Sequence, residues 1–340
     1  MAEISVYNNK IIDNIEPFND VWYKYCFYSA LFPIINCFCG TIIPFILNDI
    51  YFYDYQVESG TPLMSLKSNS IKTDMQLLNE FGISTLVKVK CENIVHDLLH
   101  SISNGSPVII SIDCFYESIR TDAYQKRHFD HLLLLYGYDT KYQYFNILES
   151  NYLDSIIYEK KQMSFSDVES CYNGFLNNIH NGKDASYYEY SGMKNYSQID
   201  NKYYINDFKL RMFENSNFII ESLNTIDKFS EHINNLYAAN SLDMINIDSL
   251  LNLFNDLINN KNCEKYRLIK VFGSLIELLD LLELIISSWN TIRGIIVKYQ
   301  FTNTLRTKSL EVLTRKLSDI KQFESNYYNI FFKYLRTGGE

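Results

Sequence analysis

The chain has 340 residues, 47% hydrophobic and 21% charged, with 40 acidic side chains against 31 Lys and Arg. That length admits two domains with a sizeable core. The net charge of −9, with no Lys/Arg-rich run, argues against a nucleic-acid partner, because neutralising phosphates takes several cations on one face.

Seven cysteines, an odd number with no C-x-x-C pair, suit a reducing cytosol. Glu3, Asp13, Glu16 and Asp20 interrupt the first stretch, so no signal peptide is expected. The greasiest later run, Leu275 to Ile286, contains Glu277, Asp280 and Glu283 and is not expected to span a membrane. The expectation is a cytoplasmic protein with neither a nucleic-acid nor a membrane partner. Abundant Asn, Ile, Tyr and Lys beside 12 Gly and 5 Pro indicate a host genome rich in A and T.

Residues 1 to 20 read as a lead-in strand and loop. From Val21 to Ile35, VWYKYCFYSALFPII reads as one apolar helix beginning beside Cys26, with Phe27, Ala30, Leu31, Ile34 and Ile35 on a buried face. Pro33 is positioned to kink it or end its first part. A second apolar segment (41–50) precedes FYDYQVESG, a strand reaching a turn at Gly60. IKTDMQLLNEFG is a helix stopped by Gly82, and ENIVHDLLHSISNG one stopped at Asn104-Gly105. SPVIISID is a short buried strand. HLLLLYGYD and YFNILES pair as an antiparallel hairpin across Asp139–Gln143. SIIYEK is a third strand, and SFSDVESCYNG a helix starting at Ser164 or Ser166 and ending at Gly174.

From His180 to Asp207 the sequence is polar and rich in tyrosine, and this is the expected boundary. Beyond it the period is helical. Residues 208–236 read as one long helix, and Asp248 caps a second. Leu268, Val271, Leu275, Leu278, Leu282, Ile285, Trp289, Ile292 and Ile296 form a heptad stripe on a third, and Ser309 to Leu335 is a fourth. The expected organisation is an α+β domain at 1–180, a boundary segment at 181–207 and a helical bundle at 208–340. The stripe suits the bundle's own core and a homodimer seam equally.

Cys26 at a helix start, then His131 opening one strand and an acid or amide on the returning strand, is the chain order of a papain-like thiol site. A helix N-terminus favours a thiolate through its unpaired N–H groups and its dipole. Cys37 and Cys39 sit in an apolar run and read as packing; Cys114, after VIISID, is the competing thiol. Among six histidines, His180 and His232 read as surface residues. His96 and His100, four apart on a helix, have a metal-compatible spacing but no evident third ligand, so no metal is expected. His128 and His131 are three apart at a strand, where they face opposite ways, and His128 is expected to line the approach to the site. Glu149 is the favoured acceptor for the second ring nitrogen of His131, with Asn146, three residues away, as the alternative.

Cys26, DCFYE (113–117) and HFDHLLLLYGYD (128–139) together resemble the N-terminal domain of butirosin biosynthesis protein H, over roughly residues 15 to 175. That family implies a papain-like fold related to the leader-cleaving cysteine peptidases of bacteriocin exporters, here an N-terminal helix packed on an antiparallel sheet and followed by the helical bundle. It implies a triad of Cys26, His131 and Glu149 that moves an acyl group from the phosphopantetheine thioester of a carrier protein to an amine, forming an amide. Similar enzymes serve natural-product assembly, closthioamide's included. The expected partners are therefore an acyl or peptidyl carrier protein and a small amine, with no resident cofactor.

The peptidase relatives carry a glutamine six residues before the cysteine as an oxyanion donor. Asp20 stands there in this chain, and Asn19 or the Cys26 backbone N–H is the substitute. Tyr25, Phe115, Tyr116, Tyr124 and His128 are expected to line the substrate path, with Asp113 and Glu117 holding the amine's cation. Hydrolysis, as a thioesterase or peptidase, uses the same residues with a different acceptor. A non-catalytic scaffold for a carrier protein is the reading without chemistry.

Overall fold

The structure, a computed structural model, describes residues 8–152, 155–192, 200–273 and 275–337. Part of the expected boundary segment (193–199) and the start of the lead-in (1–7) therefore lie outside the described residues. The chain is a mixed α and β protein with an antiparallel sheet and C-terminal helices. Two compact units compose it: Met1–Ile42 with Thr73–Ile199, and Ile43–Lys72 with Asp200–Glu340.

In chain order, β1 (Lys10–Ile11) and α1 (Cys26–Cys39) open the first unit. The chain then gives α2 (Ile43–Ile46), β2 (Asp49–Glu58) and β3 (Thr61–Ser70) to the second. It resumes the first with α3 (Asp74–Glu80), β4 (Ile83–Lys88), α4 (Ile94–Ser103), β5 (Val108–Asp113), β6 (Asp130–Asp139), β7 (Tyr144–Glu149), β8 (Glu159–Ser164), α5 (Phe165–Asn178) and β9 (Tyr187–Gly192). The remaining helices are α6 (Asn201–Glu214), α7 (Ser216–Ser222), α8 (Asn224–Ala238), α9 (Ile247–Arg267), α10 (Ile276–Thr302) and α11 (Thr307–Thr337).

The sheet of the first unit runs β4-β9-β5-β6-β7-β8, antiparallel throughout, with β1 also pairing β6. Helix α1 packs on β6, and α5 packs on β5. Pro33 does not break α1. It is buried inside one uninterrupted helix, which ends at Gly40 with φ +72, the left-handed conformation glycine adopts without strain.

Strand β9 lies within the stretch expected as a boundary, yet it is an interior strand between β4 and β5. Tyr187 and Tyr190 are both buried, and three residues apart on a strand they face opposite ways. A strand covered on both faces shows no polar–apolar alternation, so its composition reads as loop.

The second unit is discontinuous, which corrects the expected continuous domains. The hairpin β2–β3, of which only the first strand was expected and whose residues fall in the expected α+β domain, belongs with the helices because its apolar face (Ile50, Tyr51, Tyr53, Met64, Leu66) joins their core. Its turn, Ser59-Gly60, takes φ +49 and +84, as a tight hairpin requires.

The single helix expected at 208–236 is three pieces. It breaks at Asn215, whose side chain and backbone N–H both bond the Arg211 carbonyl, and again at Leu223. Leu268 and Val271 do not belong to α10: a π turn over Leu268–Phe272 and Gly273 at φ +79 intervene. From Leu278 to Ile296 the stripe holds, and it is buried in the chain's own core. Asn246, not Asp248, caps α9, accepting from the Ser249 N–H at 3.1 Å.

Candidate active site

Strand parity decides which side chains meet. Leu134 pairs with Leu148 across β6 and β7, so His131 and Glu149 project from the same face, and Asn146, three residues before Glu149, from the other. His131 Nε2 donates to Glu149 Oε2 at 3.0 Å, with Oε1 at 3.3 Å. Asn146 instead abuts Gly137, where its Nδ2 would lie 2.8 Å from an added Cβ. Of the two expected acceptors, only Glu149 meets the imidazole.

Fixing Nε2–H on a carboxylate leaves Nδ1 for the hydrogen bond that joins His131 to the Cys26 side chain. Cys26 is the first residue of α1 and half-buried. Its preceding residue, Tyr25, is extended (φ −154, ψ 174) and provides no side-chain cap, so the N–H groups of the first turn include donors that no cap consumes. Lys24 holds a left-handed φ of +54, unusual for a residue with a Cβ, with its ammonium 5.2 Å from the Tyr23 ring and 5.3 Å from the Tyr28 ring.

Burial pulls the His131 imidazole toward neutrality. The Glu149 charge and the hydrogen bonds that the imidazolium donates to Cys26 and Glu149 outweigh it, and the pKa ends well above the ordinary histidine range. The arrangement favours an imidazolium beside the sulfur.

Glu149 is itself fully buried, accepting from the Ser150 N–H at 2.7 Å and the Ser150 hydroxyl at 3.3 Å, and it forms an ion pair with the Arg120 guanidinium 3.8 Å away. Arg120, only 1% exposed, also bonds Asp122 at 3.2 Å. No sequence reasoning singled out Arg120. It lies in the long β5–β6 connection, and the only available signal was a lone arginine three residues after Glu117 (ESIR).

Several expected site residues fall elsewhere. Ile112 pairs with His131, so Asp113 projects from the opposite face of the sheet. There its carboxylate accepts from His128 Nδ1 at 2.7 Å, Asn178 Nδ2 at 3.2 Å and the Phe115 N–H at 3.0 Å. His128 stacks on Phe115 (4.2 Å, 12°), and Tyr116 lies against Gly174 of α5. Asp113, Phe115, Tyr116 and His128 thus form a cluster of their own and not a lining beside Cys26, because the register turns them away.

Glu117 is not an open cation holder either: it is fully buried, accepting the Cys114 S–H at 3.4 Å. Tyr124 lies in the β5–β6 connection, with its backbone N–H on the Arg120 carbonyl at 2.8 Å.

Asn19 clamps the backbone of Tyr158 at two points, donating to its carbonyl at 3.0 Å and accepting from its N–H at 2.8 Å. A primary amide imitates a peptide group in such a bridge, and this use replaces the expected oxyanion role. Tyr158 is buried, its hydroxyl bonded to Ser29 and facing Glu149 and Cys26.

Beside the sulfur on the open side, Tyr25 is 51% exposed and stacks with Phe27 at 6.1 Å; Phe27 in turn meets Tyr188 at 5.9 Å. The sequence marked Phe27 as one of the aromatics around the site but missed Tyr188, since β9 itself was not recognised.

Cys114 is buried, and burial and the nearby Glu117 push its thiol far up, so it does not compete as a nucleophile. Among the described residues no group of three His, Cys, Asp or Glu side chains could hold a metal ion, and no helix is long and apolar enough to cross a membrane. No protein-family model matches this chain, and no curated protein matches it.

Proposed function

We propose that this chain is a cysteine-dependent acyltransferase of papain-like fold. It takes an acyl group from a carrier-protein phosphopantetheine thioester and passes it to a small amine, forming an amide in natural-product assembly in the cytoplasm. The observation that carries the reading is the hydrogen-bonded line Cys26–His131–Glu149, begun at a helix N-terminus and closed on adjacent strands.

In the first half-reaction the Cys26 sulfur, its proton already held by the His131 imidazolium, attacks the thioester carbonyl carbon. The oxyanion that forms lies toward the N-terminal N–H groups of α1, the Cys26 N–H among them. The carbon–sulfur bond to phosphopantetheine then breaks, and His131 returns the proton to the departing thiolate. In the second half-reaction an amine attacks the acyl-Cys26 carbonyl. His131 takes the ammonium proton as the amide forms, and hands it to the Cys26 sulfur as the bond to sulfur breaks. Glu149 holds the imidazole orientation through both transfers.

Incubation with acyl-carrier protein, followed by intact mass, tests this. An acyl adduct that C26A lacks, and that a small diamine discharges as a mono-amide, is the expected result. An adduct discharged only to water makes the chain a thioesterase. No adduct under any condition overturns the enzyme reading in favour of a scaffold.

A further inference from the structure

The β5–β6 connection carries a second buried carboxylate beside the one that serves His131. Glu117 is wholly inaccessible. Among the described residues its Oε2 receives only the weak S–H donor of Cys114, and its Oε1 has no hydrogen-bond partner. The groups that face it are Glu149 from β7, His131 from β6, Arg120 from its own connection, Cys114 from the end of β5 and Cys171 from α5.

Glu149 is equally buried but takes the imidazole N–H, the Ser150 N–H and hydroxyl, and the nearer approach of Arg120. An ionised carboxylate only accepts hydrogen bonds. Where two carboxylates share one dry pocket, the charge settles on the one that is supplied with donors and the other keeps its proton.

We infer that Glu117 is held as a neutral carboxylic acid and acts as a positioning residue, leaving Glu149 as the sole negative charge behind His131. Burial first, and then the Glu149 charge, push its pKa up to about 8. Its neutral form is therefore present below that value and lost above it. Ionisation would place a second anion beside the imidazolium and alter the proton balance of the His131–Cys26 pair. This role rests on the reading of Cys26 as the nucleophile; the protonation state does not.

The test has two arms. Infrared spectra of the full chain labelled with 13C-carboxyl glutamate should show a protonated-acid carbonyl band at neutral pH. That band should vanish with a midpoint near 8 and be missing in E117Q. C114S, which gives Glu117 a stronger donor, should lower the midpoint, and so should E149Q, which removes the neighbouring charge. These two variants keep the assignment testable if E117Q does not fold.

In the second arm, the rate of Cys26 alkylation by iodoacetamide is followed against pH. A step at the same midpoint is expected in the wild type and not in E117Q. A merely structural Glu117 would leave the step in place. Absence of the band at neutral pH, or its survival in E117Q, overturns the assignment. A band that behaves as expected beside a thiol inert at every pH would sink the nucleophile reading and the positioning role while leaving Glu117 neutral.

Discussion

Arg120 places its guanidinium 3.8 Å from Glu149 Oε1, with the two side chains 1% and 0% exposed. This buried cation bridges two carboxylates, Glu149 at 3.8 Å and Asp122 at 3.2 Å. Truncation to R120M leaves Glu149 and Asp122 without their shared cation. A loss of about 3 kcal/mol is expected, as for breaking a buried ion pair. Urea denaturation followed by near-UV circular dichroism measures it, and R120K should recover part of the loss.

The His131 imidazole has a folded-state pKa well above its unfolded value of about 6.5. A raised pKa means that the stabilisation is fully present below the unfolded value and is lost as pH rises through the folded one. H131Q should therefore lose more stability at mildly acidic pH than at alkaline pH. Denaturation of both proteins across that window checks the sign, and the ring-carbon NMR shift of His131 should show no titration near the ordinary histidine value.

Asp113 takes three hydrogen bonds on the sheet face away from His131. D113N should free His128 from its stack on Phe115 and cost about 1.5 to 3 kcal/mol, as for hydrogen bonds to a charged group. The alkylation rate of Cys26 should stay within about twofold, since the two clusters sit on opposite faces. A large fall in Cys26 reactivity would refute the separation.

In the second unit Lys261, 0% exposed, pairs with Glu264 at 2.6 Å and Glu324 at 2.8 Å. Tyr53 of β2 donates to Glu324 at 2.5 Å and accepts from Trp289 at 3.3 Å. K261M leaves buried Glu324 without its ion-pair partner and Glu264 with only Arg267, at 3.6 Å, and should cost about 3 to 5 kcal/mol. E324Q alone should cost less, and a double-mutant cycle between the two should be non-additive. Because the chain has two units, the loss belongs to one transition, resolved by probes local to Trp289.

Much of the first unit was legible because its elements carry local signals. Thr73 and Gln76 form a capping box at α3, Ser164 caps α5, and the β6–β7 hairpin was marked by two apolar runs about a polar turn. The meeting of Cys26 with His131 was read from chain order, and the acceptor alternatives, Glu149 and Asn146, were separable only once a register was known.

What the sequence hid was long-range. Nothing local tells Arg120 that it will sit under Glu149, or turns Asp113 away from His131, because both follow from which strand residue pairs with which. The strand reaching Gly60 was recognised, but its partner β3 was not, and the residues of both were assigned to the wrong unit. A half-apolar ribbon specifies that it must be covered, not by what.

The interrupted path of the chain has a consequence for synthesis. The ribbon bearing Tyr53 leaves the ribosome long before Lys261, Trp289 and Glu324, the groups that satisfy its hydroxyl. Until they arrive, Ile50, Tyr53 and Met64 have no core of their own unit to enter. A nascent chain stalled after residue 199 would therefore display a greasy ribbon, and shortened versions cut at that point should clump unless the ribbon is replaced by a polar tether.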